Sequence, residues 1–424
     1  MDVSITDVTD VEKEIQINLS MNELTPHFDA AYKRYQPKLE VRGFRKGKVP
    51  LDLVKKLYAE QIEYESLDTV ANDVYRKIIE ERNIYPIGQP VIIDLDYKRG
   101  EVFTFKVKYE VKPNIVLQEY KNIAAEKLIH KITEEEYQNE ILRLRRSNSN
   151  LTPAERATDD EHVITVDLQE LDETGSPLIG KKTSDHRFYL VDESIHQKIK
   201  ESLRNTAVGA INRLVLEDDH ESHRHTIHLE ITVKKVEKVN LPVVDDAFVA
   251  KITKEKVTSS ESFLANLRAD IESYWQEKSE QKLMNTIITE IVRRHDIVIP
   301  ESIEKGLLDS LIDEVKNRYP NKKPPADFDE QKFREDNRAY AKFQSKWLLI
   351  REKIIEKEGL QVNESDLMNL AEVDASKVGI DKDRMLSFYK TSDTIKQRIF
   401  TQKLNALLKD SAKITETITE EFFN

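Results

Sequence analysis

Gly43-Phe44-Arg45-Lys46-Gly47-Lys48-Val49-Pro50 is the stretch whose chemistry organises the rest of this chain. Its two glycines free the backbone for a tight exposed loop, and Pro50 stands where a helix beginning at Leu51 wants a first-turn residue. The tip then offers an aromatic ring, a guanidinium and two ammonium groups, in Phe44, Arg45, Lys46 and Lys48. Such groups contact phosphates and enter crevices of RNA–protein surfaces. Residue chemistry alone gives an anion-binding loop, and both a nucleic-acid or ribosome contact and a merely solvated basic loop fit it.

The loop sits in a basic island. From Lys33 to Lys56 nine basic residues face Glu40 and Asp52, a local charge of +7 inside a chain whose net charge is −12. General, non-specific binding of nucleic acid over the whole surface is therefore not expected. With 424 residues, 39% hydrophobic and 34% charged, the chain is too long for one core and leaves a large charged surface, as an elongated protein of two to four domains would. Ten glycines in the whole chain favour helix and leave no glycine-rich phosphate loop, so ATP-driven action and a bound cofactor are not expected. The absence of cysteine excludes disulfides, thiolate metal sites and a cysteine nucleophile. A start without a basic, apolar leader and no run approaching a membrane span point to a cytoplasmic protein with no membrane partner.

Outward from the loop, Val11, Ile15, Ile17 and Leu19 alternate as a half-buried strand, and a helix is expected from about Phe28, beyond Pro26. Leu51 to Ile78 carries apolar residues at helical spacing with a break near Ser66. Val91 to Val111 alternates around a Lys98-Arg99-Gly100-Glu101 turn, a hairpin that completes an α+β domain. Residues 118–149 read as a polar connector ending in a charged helix, Glu134 to Arg146, and residues 150–236 as a β-rich stretch with a short helix at Ile195 to Leu203. Beyond Pro242 the pattern is helical throughout. Ile303, Leu307, Leu311, Val315 and Tyr319 mark one helix of a hairpin, a second runs to Gly359, and Asn363 with Asp366 caps the next.

The octapeptide at 43–50, in this order of segments, resembles the ribosome-docking signature of the trigger factor family. That resemblance implies an elongated, multidomain α+β chain: an N-terminal ribosome-binding α+β domain at 1–112, a linker at 113–150, a β-rich domain similar to FK506-binding prolyl isomerases at 151–242, and a helical domain with two arms at 243–424. It implies an ATP-independent chaperone whose Phe44, Arg45 and Lys46 contact a tunnel-exit ribosomal protein and ribosomal RNA, with Gly43, Gly47 and Lys48 completing the loop. Nascent and unfolded polypeptides are the implied clients, and homodimerisation off the ribosome is a further implication.

The middle segment departs from that family's pattern. An isomerase pocket needs aromatic walls around a twisted X-Pro bond, whose barrier is about 18–20 kcal/mol. Between Asn150 and Pro242 only Phe188 and Tyr189 are aromatic, and adjacent strand residues point to opposite faces. Where the family carries an Ile-Pro-Gly-Phe-Glu-like stretch this chain reads Val191-Asp192-Glu193-Ser194-Ile195-His196-Gln197-Lys198-Ile199. No catalytic residue is assigned, and isomerase activity is expected to be weak or lost. Two other classes remain: a prolyl isomerase acting in protein folding, and a ribosome-assembly or RNA-binding factor without clients. His220, His223, His225 and His228 lack the geometry and partners of a closed metal site, so no metal is assigned. Tyr340, Phe343 and Trp347 form a stripe that reads first as helix core and second as a client-binding surface.

Overall fold

The computed structural model describes residues 1–220, 223–325 and 327–423, with side chains except at 218–220 and 223–225. The chain is a mixed α and β protein with an α+β N-terminal region, a β-rich middle and a helical C-terminal region. Two compact units form, Met1–Glu126 with Lys282–Thr415 and Lys127–Gln281 with Glu416–Asn424.

In the first unit, β1 (Asp2–Asp7), β2 (Glu12–Ser20), α1 (Met21–Tyr35), α2 (Leu51–Glu81), β3 (Ile87–Lys98) and β4 (Val102–Glu110) follow in order. The strands make an antiparallel sheet ordered β1-β2-β4-β3. Ile15, Ile17 and Leu19 of β2 and Phe103, Phe105 and Val107 of β4 face one way, where Leu24, Phe28, Val70, Val74 and Ile78 of the two helices close a single core. Three details differ from the sequence reading. Strand β1 precedes the first expected strand and lies at the sheet edge, where its side chains stay mostly exposed and give no alternating pattern. Helix α1 starts at Met21 and runs through Pro26, supported by a capping box in which the Ser20 amide donates to Glu23 (2.9 Å) and by the Thr25 hydroxyl on the Met21 carbonyl (2.7 Å). Helix α2 is unbroken over 31 residues. Ser66 is buried inside it, its hydroxyl satisfied by the Glu63 carbonyl at 2.8 Å.

The second unit begins within β5 (Ala124–His130), a strand in the stretch read as a polar connector. Then come α3 (Glu134–Ser147), β6 (Asn150–Ala154), β7 (His162–Leu171), β8 (Pro177–Tyr189), α4 (Gln197–Leu203), β9 (Ile211–His220) and β10 (His223–Asn240). β10 pairs with β6, β7 and β9, and β7 with β8, all antiparallel. Ile164, Val166, Leu190, Leu203 and Ile231 fill this core. Helices α5 (Asp246–Thr253) and α6 (Ser260–Arg294) follow.

The remaining helices are α7 (Glu301–Asn317), α8 (Glu330–Glu358), α9 (Glu364–Val378), α10 (Lys382–Thr391) and α11 (Asp393–Ser411), before the strand β11 (Lys413–Thr419), which pairs with β5. Leu283, Ile287, Ile291, Ile350, Ile354, Leu404 and Leu408 form one helical core, and Leu367, Ala371, Tyr389 and Ile399 a smaller one. The α9 capping box at Asn363 and Asp366 and the left-handed cap at Gly359 stand as the sequence suggests. α7 stops two residues before Tyr319, and its deepest side chains are Leu308 and Ile312, a face turned from the expected Leu307/Leu311 stripe. The helical C-terminal stretch also ends in a strand, because β11 finds its partner almost 300 residues earlier in the chain.

Candidate functional site

Two successive turns build the basic loop. The Phe44 amide donates to the Val41 carbonyl (3.0 Å) and the Lys48 amide to the Arg45 carbonyl (2.9 Å). Each turn has glycine third, Gly43 at φ +95° and Gly47 at φ +75°, where other residues are strained. The ends of the loop are fixed. The Gly47 amide donates to the Leu39 carbonyl (3.3 Å), the Gln36 side chain to the Val49 carbonyl (2.6 Å), and Val49 is fully buried in the core. Pro50 then leads directly into α2. The tip from Arg42 to Lys46 is exposed, and Phe44 keeps 44% of its surface in solvent.

The charges divide into two sets. Lys46 pairs with Glu40 at 2.9 Å and holds that carboxyl below the usual range, and Lys55 pairs with Asp29 at 2.6 Å. Arg34 and Lys38 lie over the Tyr35 ring, each 5.6 Å from its centre. Arg42, Arg45 and Lys48 have no ion-pair partner among the described residues. A pinned loop with a solvated aromatic at its tip and three uncommitted cations can grip an anionic surface while seating one ring in a crevice.

The stripe on α8 divides. Tyr340 is 52% exposed, whereas Phe343 and Trp347 are half-buried against the Leu283, Ile287 and Leu404 core. A different apolar set stands in solvent on α9, α10 and the turn between them: Met368, Val373, Val378, Ile380 and Phe388, the last 63% exposed. Sequence reading passed over these residues. The available signal was Val378 and Ile380 flanking Gly379, a helix end where apolar side chains have little to pack against.

In the β-rich region Phe188 belongs to the core, while Tyr189 is half-buried and its hydroxyl donates to the Glu161 carboxylate. Burial and that carboxylate push the Tyr189 phenol well above its ordinary value. The Val191–Ile199 stretch is a turn leading into α4, which His196 caps by accepting the Lys198 amide on Nδ1 (3.2 Å), and Ile199 is buried in that helix. His228 lies half-buried on β10, and the side chains of His220, His223 and His225 fall outside the described residues. Among the described residues no group of three His, Cys, Asp or Glu is placed to hold a metal ion, and no helix is long and apolar enough to cross a membrane.

Comparison with known proteins agrees over both ends of the chain. Residues 1–144 match the family model described as bacterial trigger factor protein, and residues 260–410 the model of its C-terminus. A trigger factor of Salinibacter ruber is 30% identical over 444 residues, covering 100% of this chain and 96% of the relative. One of Chlorobium phaeobacteroides is 28% identical, covering 99% and 98%. A solved trigger factor chaperone structure, described in terms of substrate recognition in folding and assembly, shares the fold at a TM-score of 0.50 and 19% identity, over 97% of this chain and 100% of that one. The class so defined is the multidomain folding chaperone with mixed α and β architecture. This chain belongs to the trigger factor family, whose members are ribosome-associated and bind unfolded polypeptides.

Proposed function

We propose that this protein is an ATP-independent chaperone that docks beside the ribosomal tunnel exit through Gly43–Lys48 and shields emerging polypeptides until they fold. The carrying observation is the loop itself: its ends are tied to the core while Phe44 and Arg45 stand in solvent. On this reading residues 1–112 dock, 113–150 link, 151–242 form an FKBP-like spacer, and 243–424 hold clients. Phe44 enters a crevice of a ribosomal protein, and Arg42, Arg45, Lys46 and Lys48 meet ribosomal RNA phosphates. The exposed apolar side chains of α9 and α10 offer several weak contacts and not one pocket, which suits clients without a common sequence. Reversible binding lowers the concentration of aggregation-competent chains without any nucleotide.

The test is co-sedimentation with ribosomes of the wild type beside Phe44→Ala/Arg45→Ala/Lys46→Ala at two salt concentrations. Wild-type protein is expected in the pellet, less at the higher salt, and the triple variant in the supernatant. Equal pelleting of both removes the loop from the docking assignment.

The middle region acts as a spacer with little isomerase activity. What supports this is the fate of its two aromatics, one consumed by the core and one committed to Glu161. A protease-coupled proline-peptide assay on the full chain should stay near the uncatalysed rate. Turnover typical of FK506-binding isomerases would overturn the assignment.

A further inference from the structure

Strand β11 ends at Thr419, whose carbonyl accepts the Lys131 amide at 2.8 Å. Beyond it the chain is held mainly by side chains. Phe422 stacks on the Trp275 indole, with centres 5.5 Å apart and planes 16° apart, and on the His130 imidazole at 5.5 Å and 26°. Phe423 meets the same two rings at 5.3 and 6.4 Å and is itself buried. The main chain also ties to the platform, between His130 Nδ1 and the Glu421 carbonyl at 3.3 Å.

The platform beneath is a built site. His130 of β5 and Trp275 of α6 lie 4.2 Å apart, and the His130 side chain is fully buried. One carboxylate orients both rings: the indole N–H donates to Glu136 Oε1 (2.8 Å), and the imidazole Nε2 meets Glu136 Oε2 (2.7 Å). Aromatic surface held in place this way binds further aromatic rings without first being ordered. The occupant, by contrast, is held unevenly, with Phe423 buried and Phe422 open. Phe422 leaves 70% of its surface to solvent.

From this geometry we infer that the His130–Trp275 platform is a binding site for paired aromatic residues of an unfolded polypeptide, and that Phe422-Phe423 fills it as an internal surrogate. The inference rests on the client-binding reading above and adds a place, a ligand class and a control. The chain itself shows which ligand fits, two consecutive aromatics just beyond a bend. Client segments of that chemistry bind here only by displacing the tail, so the tail lowers apparent affinity by the fraction of time it is docked.

The experiment uses the full-length protein and a fluorescently labelled peptide carrying Phe-Phe in a polar Ser/Gly context, followed by anisotropy. Phe422→Ala/Phe423→Ala should bind the peptide about tenfold more tightly than the wild type. Adding Trp275→Leu should abolish the gain, and an Ala-Ala peptide should bind neither protein. Equal affinity for wild type and tail variant, or a gain that survives Trp275→Leu, overturns the proposal. Tryptophan emission gives a reading free of the Leu variant's stability. The tail variant should emit to the red of the wild type and return on adding peptide, while an unchanged spectrum counts against the site. Failure of the wild type to suppress aggregation of an unrelated unfolded protein would sink the client-binding reading instead, whatever the peptide does.

Discussion

At Gly47 two constraints coincide. The backbone is left-handed, φ +75°, and an added Cβ would lie 3.1 Å from the Pro37 carbonyl oxygen and 3.2 Å from the Pro37 Cα. Gly43 shares the first constraint only, since nothing lies within 4 Å of its would-be Cβ. Gly47→Ala should therefore cost about 1–2 kcal/mol in urea unfolding and also displace the loop. Gly43→Ala should cost less. Ribosome pelleting should fall for Gly47→Ala, and an unaltered midpoint with full pelleting would show that the close approach to Pro37 is dispensable. The loop was legible in sequence because glycine spacing, charge and Pro50 are local signals. What pins it was not: the Gln36 side chain reaches the Val49 carbonyl 13 positions away, and periodicity carries no trace of such a bond.

Helices in this protein are legible in proportion to how locally their ends are satisfied. α9 carries its own capping box and α8 its own glycine stop, and both were readable. The start of α7 is also marked locally, by Pro300, but its first amides are served from another element. Pro300 precedes it and has no side-chain acceptor, and Glu110 at the end of β4 accepts the Glu301 amide (2.8 Å) and the Ser302 amide (2.9 Å). A carboxylate at this position also faces the positive end of the helix. Glu110→Ala should cost about 1 kcal/mol, by analogy with lost N-caps, and should speed hydrogen exchange at the amides of Glu301 and Ser302. Exchange as slow as in the wild type would mean that solvent caps the helix equally well. The same dependence on distant partners hid β5 and β11 within stretches read as connector and helix. The break expected in α2 failed for the opposite reason, because the buried Ser66 bonds its own helix three residues back.

Over the whole molecule, function separates from stability by where the apolar side chains stand. Phe343 and Trp347 share a stripe with Tyr340 that reads in sequence first as helix core and second as a client surface, and both pack on a core that takes in Tyr120 and Ile123 as well as residues of α6 and α11. Periodicity identifies a face of a helix and cannot tell what covers it. Val378, Ile380 and Phe388 belong to the opposite case, apolar side chains around a small core of four buried residues, with about half or more of their surface in solvent. The two groups should therefore respond in opposite ways. Val378→Ser/Ile380→Ser/Phe388→Ser is expected to change unfolding free energy by no more than about 0.5 kcal/mol per site, as exposed substitutions do, and to pellet with ribosomes as the wild type does. Its suppression of aggregation of an unfolded test protein should drop several-fold, since weak contacts multiply in their effect. Phe343→Ala/Trp347→Ala should instead lower stability by about 2–4 kcal/mol, less than a fully buried pair would, because both rings are only half-covered. Full aggregation suppression by the triple serine variant would move the client surface away from the α9–α10 turn and leave those exposed side chains without a role in holding unfolded chains.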